Sequence, residues 1–196
     1  AVGDDWQSIN AFAGSDLAVL KNFEKWFGKG PQLSLTKTFR STQQICDVAS
    51  SFVQKNPGQF RKKVTTARPD AGPRTTVVMA DDSKAGVAAI LEDVSNRVTA
   101  GTFTSRHGGR PTVFVLGRYR YNAEDVPRHP PENLDVQFYT VHKSKGLEAD
   151  LVIVTRVVAG RTGFPSEVSD DPVVNLAMAE PDTFPDAEER LSLIHI

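Results

Sequence analysis

Three short runs of β-branched and aromatic residues constrain the fold of this chain more than any other feature. They are TVFVL (residues 112–116), VQFYT (136–140) and LVIVTRVV (151–158). Their apolar residues are nearly continuous and do not alternate with polar ones, which is typical of strands buried on both faces. Such strands belong to a largely parallel sheet covered by helices, because parallel neighbours are joined by crossover connections. The sequence therefore predicts an α/β fold.

Apolar residues at helical spacing predict three helices before these strands. The first lies in residues 15–27, the second starts at Ser41 and ends at Asn56, and the third surrounds residues 87–94. Ser41 and Gln44 have the spacing of a capping box. QLSLTKTF (32–39) and TTVVM (75–79) predict two further strands. The predicted inner faces of the helices are Leu17, Leu20, Phe23 and Phe27; Ile45, Val48, Ala49 and Phe52; and Val87, Ile90, Leu91 and Val94.

The charge of the chain is unevenly distributed. The formal net charge is −1, but eight of the 24 acidic residues lie in 167–190 beside a single basic residue, which leaves +6 on residues 1–165. That excess suits a polyanionic partner. Cys46 is the only cysteine, so an intrachain disulfide is excluded and a reducing cytoplasm is expected. No apolar run approaches the ~18 residues of a membrane span, so we expect no membrane partner.

Three groups of polar residues stand next to predicted strands. They lie in VGDDWQSINAFAGSDL (2–17), LTKTFRSTQQI (35–45) and VQFYTVHKSKGLEADLVIV (136–154). Polar groups at the carboxyl ends of parallel strands are placed to meet a ligand. The third group combines hydroxyls, an imidazole, two ammonium groups and a glycine at a predicted strand-to-helix turn, which are groups that hold a phosphate backbone or a nucleotide.

Each group also has an ordinary structural interpretation. Asp4 and Asp5 suit a turn, and Trp6 and Phe12 suit a core. A lone arginine such as Arg40 is more often paired with a surface carboxylate than with a phosphate. The third group is the most specific of the three, because several polar residue types fall within one short connection between strands.

Taken together, the three groups resemble the UvrD/Rep-type superfamily-one DNA helicases, up to about Arg190. GDDWQSINAFAG is similar to helicase motif III, TFRST to motif IV and TVHKSKGLEADLVIV to motif V. LGRYRYNAED is similar to the strand that follows motif IV, and FPDAEER to the opening of motif VI. The resemblance implies a RecA-like parallel sheet with helices on both faces, the second motor domain of a helicase, truncated at both ends.

The resemblance also implies an ATP site. Gln7 matches the motif III glutamine that senses the γ-phosphate and the attacking water. Arg40 matches the motif IV arginine finger, which stabilises charge on the transferring phosphoryl group, so Gln7 and Arg40 are the expected catalytic residues. Phe39 matches an aromatic that stacks on adenine. Gly146 and Glu148 match motif V residues beside the nucleotide.

A DNA site is implied by the same motifs. Phe12 matches an aromatic on which a base stacks. Thr140 and His142 match motif V groups that touch the DNA backbone, and Lys145 adds positive charge beside the phosphates. Single-stranded and duplex DNA are therefore the expected partners.

By the same resemblance, residues 1–29 are expected to be the end of the first RecA-like domain and residues 30–190 the second. The parent protein is expected to be an ATP- and Mg²⁺-dependent helicase that moves 3′-to-5′ on single-stranded DNA. The alternatives are the helicase module of a helicase–nuclease and a non-catalytic RecA-like nucleic-acid-binding domain. The Walker A and Walker B motifs, with the magnesium ligands, are expected upstream of residue 1, so we expect the chain alone to be inactive. LSLIHI stands where motif VI should continue, and residues 191–196 are expected to be non-native.

Overall fold

The computed structural model describes residues 6, 20–31, 33–55, 60–68 and 75–160. These residues fall into two compact units, one within residues 1–76 and the other within residues 77–164. Among them, no helix is long and apolar enough to cross a membrane.

The described residues of the first unit form two α-helices and a short parallel ladder. Its elements are α1 (Phe23–Phe27), β1 (Lys37–Thr38), α2 (Gln43–Val53) and β2 (Thr65–Thr66). β1 and β2 pair in parallel, with Lys37 opposite Thr65. α1 is followed by its C-cap residue Gly28, which has φ +84°. The strand predicted over residues 32–39 is wrong in extent, because among residues 33–39 only Lys37 and Thr38 pair with a neighbour.

The predicted inner face of α2 is wrong. Cys46 is the buried residue of this helix, whereas Ile45 and Val48 are 38% and 54% exposed. The reason is the anchoring of Gln43, whose Nε2 donates to Val64 O (3.0 Å) and whose Oε1 accepts from Thr66 N (3.1 Å). These bonds turn the face of Gln43 and Cys46 inward, since residues three apart share a helix face.

The start of α2 also differs from the prediction. The N-cap is Thr42, without a side-chain capping bond, so the capping box predicted at Ser41 and Gln44 is wrong. Ser41 O instead accepts a hydrogen bond from Thr66 Oγ1 (2.6 Å), which ties the residues before α2 to β2.

The second unit contains the parallel sheet. Its elements are α3 (Ser83–Thr99), β3 (Thr112–Gly117), a 3₁₀ helix (Arg120–Asp125), β4 (Asp135–Thr140) and β5 (Leu151–Val154). The strand order is β4-β3-β5, and both pairings are parallel. The prediction of parallel strands in an α/β fold is therefore confirmed.

Two predicted strands in this unit need correction. The predicted strand TTVVM (75–79) forms no ladder with any described strand, and Val77 and Met79 are 83% and 90% exposed. β5 ends at Val154, although the apolar run continues to residue 158. The chain turns at Arg156, which has φ +56°, and thereby leaves the direction of the strand.

Helix α3 covers one face of the sheet. Val87, Leu91 and Val94 are buried against the sheet, as the helical spacing predicted. The facing residues are Val113, Val115 and Ile153, and Leu134 completes the cluster. On the other face of β3, Phe114 and Leu116 are also buried. β3 is therefore buried on both faces, which explains why its apolar run is continuous.

Candidate nucleotide and nucleic-acid sites

The carboxyl ends of the three parallel strands lie together at one edge of the sheet. Gly117, the last residue of β3, is opposite Thr140, the last residue of β4. Val141 N donates to Gly117 O (3.0 Å), and Thr155 N donates to Leu116 O (2.9 Å). These bonds extend the ladder by one residue on each side of β3, so whatever follows the strands starts from the same edge.

Aromatic and cationic side chains follow β3 directly. The rings of Tyr119 and Tyr121 stack with centroids 5.3 Å apart and planes 9° from parallel. The Arg118 guanidinium lies 5.4 Å from the Tyr119 ring centroid, and its Nε donates to the Tyr119 hydroxyl (3.0 Å). Tyr121 is 53% exposed, so part of this residue is accessible to a ligand.

A close packing contact fixes the start of this segment. A methyl group on Gly117 would lie 2.5 Å from Asn122 Cβ, so the residue at the end of β3 must be glycine. Asn122 is buried, and its Oδ1 accepts a hydrogen bond from Tyr119 N (2.8 Å). The first turn of the 3₁₀ helix is thereby folded back onto the strand end.

The connection from β4 to β5 carries the motif V residues. Thr140 O accepts hydrogen bonds from Lys143 N (2.9 Å) and Ser144 N (3.0 Å), so the chain turns immediately after the strand. Residues 141–146 form hydrogen-bonded turns, and the predicted strand-to-helix turn is wrong at this point. Gly146 has φ +86°, a conformation that favours glycine. Lys145, Gly146 and Glu148 are exposed on this connection.

His142 is half-buried at the same edge. Burial and the positive charge of Arg118 both lower the pKa of His142 below its ordinary value of 6.5, burial being the larger cause. The imidazole is therefore neutral at pH 7, and it can offer one donor and one acceptor.

The stability of the protein is expected to fall as the pH drops below about 6.5, because the unfolded state binds a proton at His142 more readily than the folded state. Asp125 and Asp150 also have lowered pKa values, since burial raises the pKa but hydrogen bonds to their carboxylates lower it more. The stability that these two carboxylates contribute is lost only as the pH falls below 3.8. Urea denaturation between pH 8 and pH 5 measures the loss of stability due to His142, because the loss due to the two aspartates begins only below pH 3.8.

His142→Asn is expected to flatten the dependence of stability on pH between pH 8 and pH 5, because it removes the imidazole whose pKa is lowered in the folded state. An NMR titration that gave His142 a pKa at or above 6.5 would contradict the expectation.

Phe39 and Arg40 lie in the first unit, at the carboxyl end of β1. Phe39 is 71% exposed, and Lys37 Nζ lies 5.7 Å from its ring centroid. Two hydrogen bonds hold the main chain of Arg40. Arg40 N donates to Thr38 Oγ1 in β1 (3.3 Å), and Arg40 O accepts from Nη1 of Arg68, which follows β2 (2.7 Å). The Arg40 side chain is exposed.

The structure brings together some of the predicted site residues. Thr140 and His142 lie at one edge with Arg118, and Phe39 and Arg40 are adjacent at another strand end. Gln7 and Phe12 lie outside the described residues. The roles of all these residues stay predictions.

Sequence reasoning missed the part of the edge formed by Arg118, Tyr119 and Tyr121. The signal was present as R-Y-R-Y directly after a buried strand, in the segment matched to the strand after motif IV. Alternating cations and aromatics at a strand end are typical of single-stranded nucleic-acid binding.

Known proteins with similar sequences are DNA helicases, and they show that the chain belongs to the UvrD/Rep-type family. One of them is DNA helicase IV of Escherichia coli (strain K12), which is 31% identical over 97% of this chain. The chain spans 26% of the length of that protein. VGDDWQSI, FVQKNPGQ and FPDAEER resemble DNA helicase IV in particular, and the match agrees with that resemblance.

Two other relatives match shorter parts of the chain. The putative ATP-dependent DNA helicase YjcD of Bacillus subtilis (strain 168) is 30% identical over 62% of the chain, which spans 15% of that protein. The ATP-dependent DNA helicase UvrD1 of Mycobacterium leprae (strain TN) is 31% identical over 53% of the chain, which spans 13% of it. No protein-family model matches the chain.

Proposed function

We propose that the chain is the second motor domain, with the end of the first, of an ATP-dependent DNA helicase that moves 3′-to-5′ on single-stranded DNA and unwinds duplexes. The observation that carries the proposal is the edge formed by the ends of β3 and β4. There Val141 N donates to Gly117 O, and the charge of Arg118 acts on His142. The similarity to DNA helicase IV over 97% of the chain supports it.

The chemistry of this edge suits a DNA strand that is bound without sequence preference. The exposed Tyr121 can stack its ring on a base, and every base has a face for stacking. Arg118, Lys143 and Lys145 supply positive charge for phosphates. Thr140 and the neutral His142 add hydrogen-bonding groups without further charge. An edge of this kind binds the backbone and the base faces, so a motor can advance along any sequence.

The strand end that carries Phe39 and Arg40 suits a nucleoside triphosphate. The exposed Phe39 ring can stack on adenine, and the Arg40 guanidinium has the fork geometry that recognises phosphate oxygens. ATP supplies the phosphoryl group, and Arg40 stabilises the charge that develops on it. Gln7, Gly146 and Glu148 complete our proposed nucleotide contacts, and Phe12 the DNA contacts.

The resemblance to the helicases implies magnesium, and we propose that its ligands belong to the Walker motifs of the full-length protein. Within the described part of the chain, no group of three His, Cys, Asp or Glu side chains could hold a metal ion. By the resemblance to the helicases, we propose that this chain supplies the arginine finger and part of the DNA site, and that the Walker motifs of the full-length protein supply the phosphate loop and the metal ligands. We propose a cytoplasmic location, since a sequence with one cysteine suits a reducing compartment.

The experiment that tests the proposal uses the full-length protein that carries this sequence. It is expected to hydrolyse ATP faster when single-stranded DNA is present, and to unwind duplexes with a 3′ tail but not those with a 5′ tail. The 196-residue chain alone is expected to hydrolyse no ATP. A full-length protein that binds DNA without hydrolysing ATP would contradict the helicase function and favour a binding domain.

Tyr121→Ala is expected to weaken single-stranded DNA binding by roughly tenfold, because a stacked base contributes ~1–3 kcal/mol. His142→Ala should have a smaller effect, since it removes a backbone contact and no stacking surface. Fluorescence anisotropy with labelled oligothymidylate at fixed salt measures both.

The matched control is Arg110→Ala, which removes an exposed cation at the opposite, amino end of β3. A loss of affinity in Arg110→Ala equal to that in Tyr121→Ala would indicate non-specific charge effects and not a stacking site.

A further inference from the structure

Asp125 is a buried carboxylate at the end of the 3₁₀ helix, and it is only 1% exposed. Its Oδ1 accepts hydrogen bonds from Ser83 Oγ (2.8 Å) and Arg156 Nη2 (2.7 Å). Its Oδ2 accepts from Arg156 Nε (2.9 Å). A buried charge is tolerated only when it is paired and hydrogen-bonded, and this bidentate geometry meets both conditions.

The partners of Asp125 come from two other elements of the unit. Ser83 is the first residue of α3, and Arg156 lies just beyond the end of β5. The carboxylate therefore joins the segment that follows β3 to a helix on one side and to the neighbouring strand on the other. Burial alone would raise the pKa of Asp125, but the bonds from Arg156 and Ser83 lower it, so the group is ionised at neutral pH.

Arg156 adopts a conformation that is unfavourable for its residue type. Its φ is +56°, in the left-handed region where residues other than glycine are uncommon. The guanidinium also donates to Glu124 Oε1 (3.1 Å) from Nη2. A residue persists in such a conformation when its surroundings over-determine it, and strained residues cluster at functional sites.

The stacked tyrosines are not part of the hydrophobic core cluster. Val126, the residue after Asp125, packs against the core cluster, but Tyr119 and Tyr121 do not belong to it. Two specific contacts hold the 3₁₀ helix, the packing of Asn122 against Gly117 and the Asp125–Arg156 pair.

We propose that Asp125 and Arg156 are positioning residues, which hold the 3₁₀ helix so that Tyr121 and Arg118 face a DNA strand at the carboxyl edge of the sheet. This inference rests on the proposed DNA-binding function. The Asp125–Arg156 pair would act by placing the stacked rings of Tyr119 and Tyr121, and would not itself touch DNA.

The test compares Arg156→Gly with Arg156→Ala in the full-length protein. Glycine adopts positive φ without strain, so Arg156→Gly is expected to melt at a higher temperature than Arg156→Ala. Both variants should bind labelled oligothymidylate roughly tenfold more weakly per folded molecule than the wild type, which corresponds to about one lost stacking contact. If the pair had a purely structural role, the DNA affinity of the variants would instead change in parallel with their melting temperatures.

A double-mutant cycle gives a second, independent readout. Asp125→Asn and Arg156→Gln should each weaken DNA binding, and the double variant should be no weaker than either, because the two residues act as one unit. Glu124→Gln is the matched control. It removes the 66% exposed partner of Arg156 and leaves the bonds to Asp125, so DNA affinity should stay unchanged.

Two outcomes overturn the proposal, and they are distinguishable. If the wild type binds DNA and a folded Arg156→Gly binds it equally well, the positioning role is wrong and the DNA site stands. If the wild type does not bind oligothymidylate, the proposed function fails and this inference fails with it.

Discussion

Arg40→Ala in the full-length protein is expected to lower the rate of the proposed ATP hydrolysis by about 10³-fold or more, while DNA binding without nucleotide stays near normal. This is the size of effect that arginine fingers have on phosphoryl transfer, because the guanidinium stabilises charge that appears only in the transition state. Steady-state hydrolysis with saturating single-stranded DNA measures the rate, and anisotropy without nucleotide measures the binding.

The local structure supports so large an effect. The main chain of Arg40 is fixed by Arg68 Nη1 on one side and by Thr38 Oγ1 on the other. α2 starts three residues later, where Gln43 is bonded to the segment that forms β2. A rigid base for a long side chain reduces the entropy lost when its fork engages a phosphate.

Two variants control this prediction. Arg40→Lys keeps the charge but loses the bidentate fork, so its rate should fall between those of Arg40→Ala and the wild type. Arg61→Ala removes another exposed guanidinium from the same unit and should leave the rate unchanged. If Arg40→Ala lost DNA affinity and kept its ATPase rate, Arg40 would be a contact to the DNA backbone.

The sequence correctly predicted those elements whose buried residues recur at helical spacing or form a continuous apolar strand. Val87, Leu91 and Val94 recur at helical spacing and are buried in α3, and β3 reads as continuously apolar because both of its faces are covered. Patterns of this kind depend on the spacing of nearby residues, so they can be recognised without knowing which elements pack together. α2 shows the limit of such reasoning, because a polar side chain, Gln43, decides which face of the helix turns inward.

The candidate site was predictable only in part for a related reason. Thr140 and His142 stand in a motif, and a motif is visible in the sequence. The proximity of Arg118 to His142 depends on the register of β3 against β4, which places Gly117 opposite Thr140. The bonds from Ser83 and Arg156 to Asp125 join residues far apart in the chain and depend on three-dimensional packing, so no local pattern reveals them.

Leu91→Ala is expected to destabilise the second unit by about 3–5 kcal/mol, since it removes a large side chain and leaves a cavity. Leu91 is 0% exposed and belongs to the cluster that packs α3 on Val113, Val115 and Ile153. For a unit of this size each kcal/mol lowers Tm by roughly 4–8 °C, so a fall of roughly 12–40 °C is expected. Thermal and urea denaturation, followed by far-UV circular dichroism, measure the change.

Glu92→Ala is the matched control for Leu91→Ala, because it alters the next, exposed position of the same helix and should change stability by less than about 0.5 kcal/mol. Leu91 belongs to the core, whereas the proposed DNA contacts follow the strand ends, so the DNA affinity of each folded molecule should be unchanged in Leu91→Ala. A small change in stability would show that the cluster is not the core of this unit. A loss of DNA affinity per folded molecule would show that packing between α3 and β3 controls the edge, since a shift of β3 would carry Gly117 and the 3₁₀ helix with it.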